Sequence, residues 1–283
     1  MTMPPNKTRP AAAAMPKRSG LMQELTDQIE AARGDPDFMT SLARGMLVLN
    51  ALSQHGRELT VSQLSEETGL SRAATGRVVH TLTRLGYVGQ QGRGHVLLPR
   101  VLGIASAHAS RSPMIATAQP VLDALRDAVH ESCSLGVLDG DDLLYVARAE
   151  TVRLMSIGLR AGSRLPAYCT SMGRVLLAEL APAARDAYLR RNPPHPRTPR
   201  TVTDPDAFVE LLRRVRRDGH ALVDQELEIG LRSIAVPVRG RDGRLLAALN
   251  IGTQAGRVSL QAMQSTLLPA LQAAAVRLGP MLG

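Results

Sequence analysis

Between residues 39 and 54 apolar side chains recur at Leu42, Met46, Leu49 and Leu52, the three-and-four spacing that puts one stripe on one side of an α-helix. Thr60 then stands as an N-cap for a short helix with Val61, Leu64 and Thr68 inward, and Gly69 occupies a left-handed stop. Ser71 caps a third helix over 72–85, with Ala74, Val78, Leu82 and Leu85 inward, and Gly86 ends it. Tyr87-Val88 and residues 95–98 flank the loop GQQGRG, two short extended pieces around a Gly-rich turn. Helix, helix, tight turn, helix, hairpin is the order of a winged helix-turn-helix, placed at 38–100.

Ahead of it, residues 1–20 are rich in Ala, Pro and Lys/Arg without periodicity and are expected to be disordered. Residues 21–33 predict a short helix broken by Asp35-Pro36-Asp37, so 1–37 reads as an extension. Residues 101–118 predict a linker helix interrupted near Ser112-Pro113, and Pro120 suits the first turn of a further helix carrying Leu122, Leu125 and Val129 on one face.

From 119 to 283 the pattern becomes mixed. Residues 133–138 and 143–147 flank Asp139-Gly140-Asp141-Asp142, a strong hairpin turn, and 154–159 reads as a third strand. A loop through Pro166 leads into helices from about 171 and over 182–191. Five prolines in 192–205 demand an irregular surface loop. An Arg-rich amphipathic helix over 206–218, strands at 220–224, 233–238 and 245–251, and a last helix over 259–278 complete the chain. Adjacent strands joined by tight turns argue for a mostly antiparallel sheet flanked by helices, so the fold class is α+β.

Composition narrows the function. The 283 residues allow two domains and an ample core. No apolar run is long enough to span a bilayer, and the N-terminus has no apolar signal core. The two cysteines, Cys133 and Cys169, are far apart and form neither a disulfide framework nor a metal motif, which places the chain in a reducing cytoplasm. P-loop, dinucleotide-binding and HExxH patterns are missing too, so no cofactor or metal is expected. A formal charge of +9 suggests a polyanionic partner, while 2% aromatics give no platform for stacking single-stranded bases.

The third helix sharpens that suggestion. Steps of 100° with Val78 inward put Arg72, Ala73, Gly76, Arg77, His80, Thr83 and Arg84 outward, a basic face without an acid. Ala73 and Gly76 permit close approach to a groove. Arg72 and Arg77 are candidates for base edges or phosphates, and Arg93 in the wing for a phosphate or the minor groove. Ser71 and Thr75, at the start of the helix, complete the candidate set. A merely solvated basic face is the plainer alternative; the turn signals and the wing favour double-stranded DNA.

"SLARGMLVLNAL" and "LTVSQLSEETGLSRAATGRVVHTLTRLGYV" in the first domain, with "GSRLPAYCTSMGRVLLA", "DQELEIGLRSIAVPV" and "AALNIGT" in the second, make the chain resemble the IclR family of bacterial transcriptional regulators from about Phe38 to the C-terminus. "RLPAYCTSMGRVLLA" is similar to the subgroup governing aromatic-acid catabolism, whose members respond to protocatechuate, 4-hydroxybenzoate or intermediates of the β-ketoadipate route. The resemblance implies a homodimer on a palindromic operator, with dimers able to pair into homotetramers, and a C-terminal domain that binds a small organic acid.

For a carboxylate, Ser171 and Met172 stand at a helix N-terminus, where unpaired N–H groups and partial positive charge favour an anion. Cys169 and Thr170 form the lip beside them. Family-like positions add Ser233, Asn250 and Gly252 from later strands and Asp224 nearby, with Met155, Leu165, Met172 and Leu231 as an apolar wall. Each has a plainer reading: Met172 as core, Asn250 as a backbone-bonding residue, Asp224 and Glu226 as partners of Arg232. The rival function is a hydrolase or transferase using Cys169 as nucleophile. That chemistry needs an oriented base, and neither His130, His195 nor His220 stands in a recognisable motif with Cys169. No catalytic residue is therefore assigned.

Overall fold

The computed structural model describes residues 20–55, 57–109, 112–151 and 159–283. The N-terminal half holds α1 (Gly20–Ala31), α2 (Thr40–Ser53), α3 (Val61–Thr68), α4 (Arg72–Arg84) and the hairpin β1 (Val88–Gln91) and β2 (Gly94–Leu97). Thr60 and Gln63 form a reciprocal capping box at α3, and Gly69 ends that helix at φ +75°. Ser71 caps α4 by accepting from the Ala74 N–H at 3.2 Å.

The buried faces differ from the expected ones. On α2 the core side is Leu47, Val48, Ala51 and Leu52, whereas Leu42 is 61% and Met46 47% exposed. The helix is apolar on more than one side: Leu52 is buried and Leu49 packs against the core as expected, while the Leu42 and Met46 end of the expected stripe is exposed. On α4 the core takes Thr75, Val79 and Leu82, and Leu85 is exposed. The wing ladder also runs further than the sequence suggests, through Gln90 and Gln91, with only Gly92-Arg93 in the turn.

Two helices join the halves. α5 (Arg100–Ala109) is tied back to α4 by a hydrogen bond of 2.5 Å from Arg100 Nη1 to the Leu85 carbonyl. α6 (Pro113–Val129) starts at Pro113 and passes through Pro120 unbroken, in place of a fresh start there. Pro120 removes one backbone bond, but Ala118, Val121, Leu122 and Leu125 bury a full stripe around it.

The C-terminal half is one six-stranded sheet in the order β5-β4-β3-β8-β7-β6, every pair antiparallel. Its strands are β3 (Ser132–Asp139), β4 (Asp142–Ala149), β5 (Arg164–Pro166), β6 (Ala221–Asp224), β7 (Leu231–Arg239) and β8 (Leu245–Gln254). β5 was expected as loop. The strand expected at 154–159 lies almost wholly outside the described residues.

One sheet face carries α6 and the C-terminal helices α10 (Leu260–Ala262) and α11 (Leu268–Leu282), which a π-helical turn, Met263–Leu267, connects. The other face carries α7 (Ser171–Ala178) and α9 (Pro205–Asp218), with α8 (Pro182–Arg191) between them in sequence. Fold class is thus α+β, as read.

α1 touches both halves. Met22, 1% exposed, joins the core of the helical domain. The Leu21 N–H donates to Asp142 Oδ2 at 3.1 Å, across 121 residues, at the turn between β3 and β4. Gly140 in that turn has φ +60°, and a Cβ there would meet the Glu24 carboxylate at 2.1 Å. The left-handed backbone favours glycine in this turn, and a larger side chain would also have to displace Glu24.

Candidate functional site

Two regions gather the candidate residues. The first is the outer face of α4. Arg72, Ala73, Arg77 and His80 are exposed, Gly76 is half-buried, and no acidic residue lies on the helix. Arg93 is exposed at the wing tip. Ser71 is exposed but occupied as the cap. Thr75 is a correction: it is fully buried, and its hydroxyl donates to the Ser71 carbonyl at 3.1 Å. At 100° per residue Thr75 shares a face with Val79 and Leu82, so it holds the helix to the core and reaches no groove.

The second region is a cavity of about 440 Å³, its open mouth included, between the sheet and the start of α7. Strand pairing lays out the floor. Arg148, Ser134, Asn250 and Ala235 lie side by side across β4, β3, β8 and β7. One step along run Gly252, Ser233 and Val223. Over the floor stand Cys169, Thr170 and Ser171, with Leu159, Leu227 and Leu231 around the sides.

The roof follows from local chemistry. Residues Ala167–Cys169 make a 3₁₀ turn into α7, and Thr170 caps the helix by accepting from the Gly173 N–H at 3.2 Å. A Cβ at Gly173 would lie 2.2 Å from the Ala167 carbonyl oxygen, so glycine lets the turn fold onto the helix. Because Thr170 is the cap, Ser171 is released from that task. Its Oγ is buried and has no partner. Asn250 Oδ1 is in the same condition. Among the described residues four buried side-chain polar atoms lack a partner, and two of them line this one cavity. An unmet buried polar atom costs about 1–3 kcal/mol, so two of them on residues that line one cavity make it the candidate ligand site.

Cys169, Thr170, Ser171, Leu231, Ser233, Asn250 and Gly252 thus meet at the cavity. Three described candidates do not: Leu165, half-buried on β5, is not a lining residue, and neither are Met172 and Asp224. Met172 is fully buried with its sulfur against Gly136, one helical step away from Ser171. Asp224 follows Val223 on β6 and so points to the opposite side of the sheet; it receives Arg232 Nε at 2.7 Å and Arg200 Nη1 at 2.8 Å. Burial opposes ionisation of Asp224, but the hydrogen bonds from Arg232 and Gln225 outweigh it and hold the carboxyl below its ordinary range. Met155 lies outside the described residues.

Sequence reasoning missed Tyr145 and Arg148, which line the cavity from β4. Leu135 pairs with Ala147 and Gly136 with Tyr145, so Val146 is an extra residue in its strand. That bulge reverses the alternation and brings residues three apart onto one face. Arg148 donates from Nη1 to Ser134 Oγ and from Nε to Glu150 Oε1, both at 2.9 Å.

Cys169 is fully buried, and burial pushes its thiol up to about 12. Its S–H points at the Pro166 carbonyl at 3.7 Å. A thiol in that condition is a wall, not a nucleophile.

Two family models match the chain. Residues 41–92 match the family model of the IclR helix-turn-helix domain, and 106–279 match that of the bacterial transcriptional regulator IclR C-terminal domain. The chain is 47% identical over 271 residues to the Pca regulon regulatory protein of Pseudomonas putida, covering 95% of this chain and 92% of that one. A crystal structure of an IclR homolog complexed with 4-hydroxybenzoate, from Microbacterium hydrocarbonoxydans, superposes with a TM-score of 0.70 at 27% identity, over 86% of this chain and 98% of that one. The inducer-binding domain of a double mutant of the PobR transcription factor from Acinetobacter, solved with 3-hydroxybenzoic acid, gives 0.56 at 34% identity over 58% and 96%.

Proposed function

Since the chain belongs to the IclR family of bacterial transcriptional regulators and is a DNA-binding regulator rather than an enzyme, we propose that its operator binding responds to a small aromatic carboxylate held in the cavity under α7. The observation that carries this reading is that two residues lining one cavity, Ser171 and Asn250, each hold a buried polar atom without a partner, Oγ and Oδ1. Ser171 and the first turn of α7 supply donors and partial positive charge for the acid. Val223, Leu227 and Leu231 supply the apolar wall for the ring.

On the DNA side, α4 enters the major groove with Arg72 and Arg77 toward bases or phosphates, and Ala73 and Gly76 let its backbone come close. Arg93 reaches the flanking backbone. One short helix reads few base pairs, so a homodimer on a palindromic operator supplies the rest, and dimers pair further into tetramers. The exposed Met39, Leu42, Met46, Leu102 and Ile104 on and beside α2 and α5 support a second copy as neighbour. No helix of the described residues is long and apolar enough to cross a membrane, and we place the regulator with its DNA in the cytoplasm.

Thermal-shift titration with 4-hydroxybenzoate, 3-hydroxybenzoate and protocatechuate tests the cavity, and gel shifts on the regulator's own promoter with and without the stabilising acid test the coupling. Stabilisation together with altered operator affinity is expected. No stabilisation by any of these acids would remove the aromatic-acid reading.

A further inference from the structure

The sheet side of the cavity carries a cation of its own. The Arg148 side chain is 8% exposed, lines the cavity, and rests over Ser134, one strand from the unpartnered Asn250. A nearly buried guanidinium requires countercharge. Without a ligand that charge comes from Glu150, two residues further on and 60% exposed. The two hydrogen bonds use Nε and Nη1 only, leaving part of a five-donor fork to serve another oxygen.

We propose that Arg148 is the residue that makes the cavity select carboxylates, and that Glu150 is a built-in carboxylate competing with the ligand for the same cation. This rests on the reading of the cavity as the effector site. The ligand's carboxylate lies toward β4, between Arg148 below and Ser171 above. Its carbon skeleton extends toward Val223, Leu227 and Leu231 at the other end of the floor. Glu150 sets the affinity: with it present, the guanidinium already has an ion-pair partner, and the ligand gains less from meeting it.

The test uses the full chain and calorimetry with 4-hydroxybenzoate, its neutral analogue 4-hydroxybenzamide, and adipate. Wild type should prefer the hydroxybenzoate to the amide. In Arg148→Gln the preference for acid over amide should collapse, with acid affinity falling roughly 10- to 100-fold. Arg148→Lys, which keeps the charge without the fork, should recover part of it. Glu150→Gln should bind the acid several-fold tighter, a gain that no loss of structure can imitate. Adipate binding in place of the hydroxybenzoate, with the same dependence on Arg148 and Glu150, would move the skeleton from ring to chain and uphold the proposal. Wild-type acid preference retained in Arg148→Gln, or weaker acid binding in Glu150→Gln, would overturn it while leaving the cavity reading intact. Failure of wild type to bind any of the three would overturn both.

Discussion

Arg174 and Glu226 meet inside the protein as a two-pronged ion pair, with Nη1 and Nη2 donating to the carboxylate at 2.7 and 2.6 Å and the arginine 1% exposed. Further contacts hold both partners. Arg174 Nε donates to the Tyr168 carbonyl, its guanidinium lies 5.6 Å from the Phe208 ring centre, and Glu226 also accepts the Val202 N–H. One pair thereby fastens the 3₁₀ turn before α7, the proline-rich loop and the 225–230 loop that supplies Leu227 to the cavity. Glu226→Ala should destabilise the fold by about 3–5 kcal/mol, because the arginine is left buried and unpaired. Urea melts check this, and a loss below about 1 kcal/mol would show the pair to be dispensable.

Arg77→Ala should weaken operator binding by about 1–3 kcal/mol, at one base position if Arg77 reads an edge and uniformly, with a lower salt slope, if it meets phosphate. Thr75→Val should leave operator affinity unchanged, since Thr75 faces the core. Gel-shift titration of both variants against a set of single-base operator mutants separates the outcomes.

Ser171→Leu replaces the unpartnered hydroxyl by a larger apolar side chain and should abolish the response to acid while apo operator binding persists. Normal effector affinity in that variant, measured by calorimetry, would take Ser171 out of the site.

Burial raises the Asp142 carboxyl from 3.8 to about 6, with Asp141 and Glu24 pushing the same way and the Leu21 N–H opposing. A raised folded value means that the protonated form favours folding. Its contribution is complete below about pH 4 and is lost as pH rises through 6. Asp142→Asn keeps an acceptor for Leu21 and stays neutral. It should gain on the order of 2 kcal/mol over wild type at pH 8 and none at pH 4. Identical pH–stability curves for the two proteins would contradict this.

Much of the architecture is written in punctuation. Thr60, Gly69, Ser71 and Gly86 delimit the first domain's helices because caps and left-handed stops act through neighbouring backbone atoms alone. Orientation is less legible. α2 and α4 are apolar on several sides, so which stripe is buried depends on partners far along the chain, and Leu42 and Thr75 were assigned to the wrong sides. At the cavity, Ser171, Ser233, Asn250 and Gly252 could be named from motifs. Arg148 could not, because the bulge at Val146 that turns it inward leaves no mark in the periodicity. Asp224 failed for the converse reason: an acid beside a motif looks like chemistry until pairing shows which side of the sheet it faces.

The seat of α1 has a mechanical consequence. Two domains joined by one strand of chain behave as a ball joint, free to swivel about three axes. Here there are two attachments: the α5–α6 passage, and α1, whose Met22 is sunk in one domain while its leading amide is held by Asp142 of the other. A body pinned at two points can turn about only the line between them. A change of angle between the two domains is thereby restricted to a single swing, and releasing the pin at Asp142 returns the joint its other two axes.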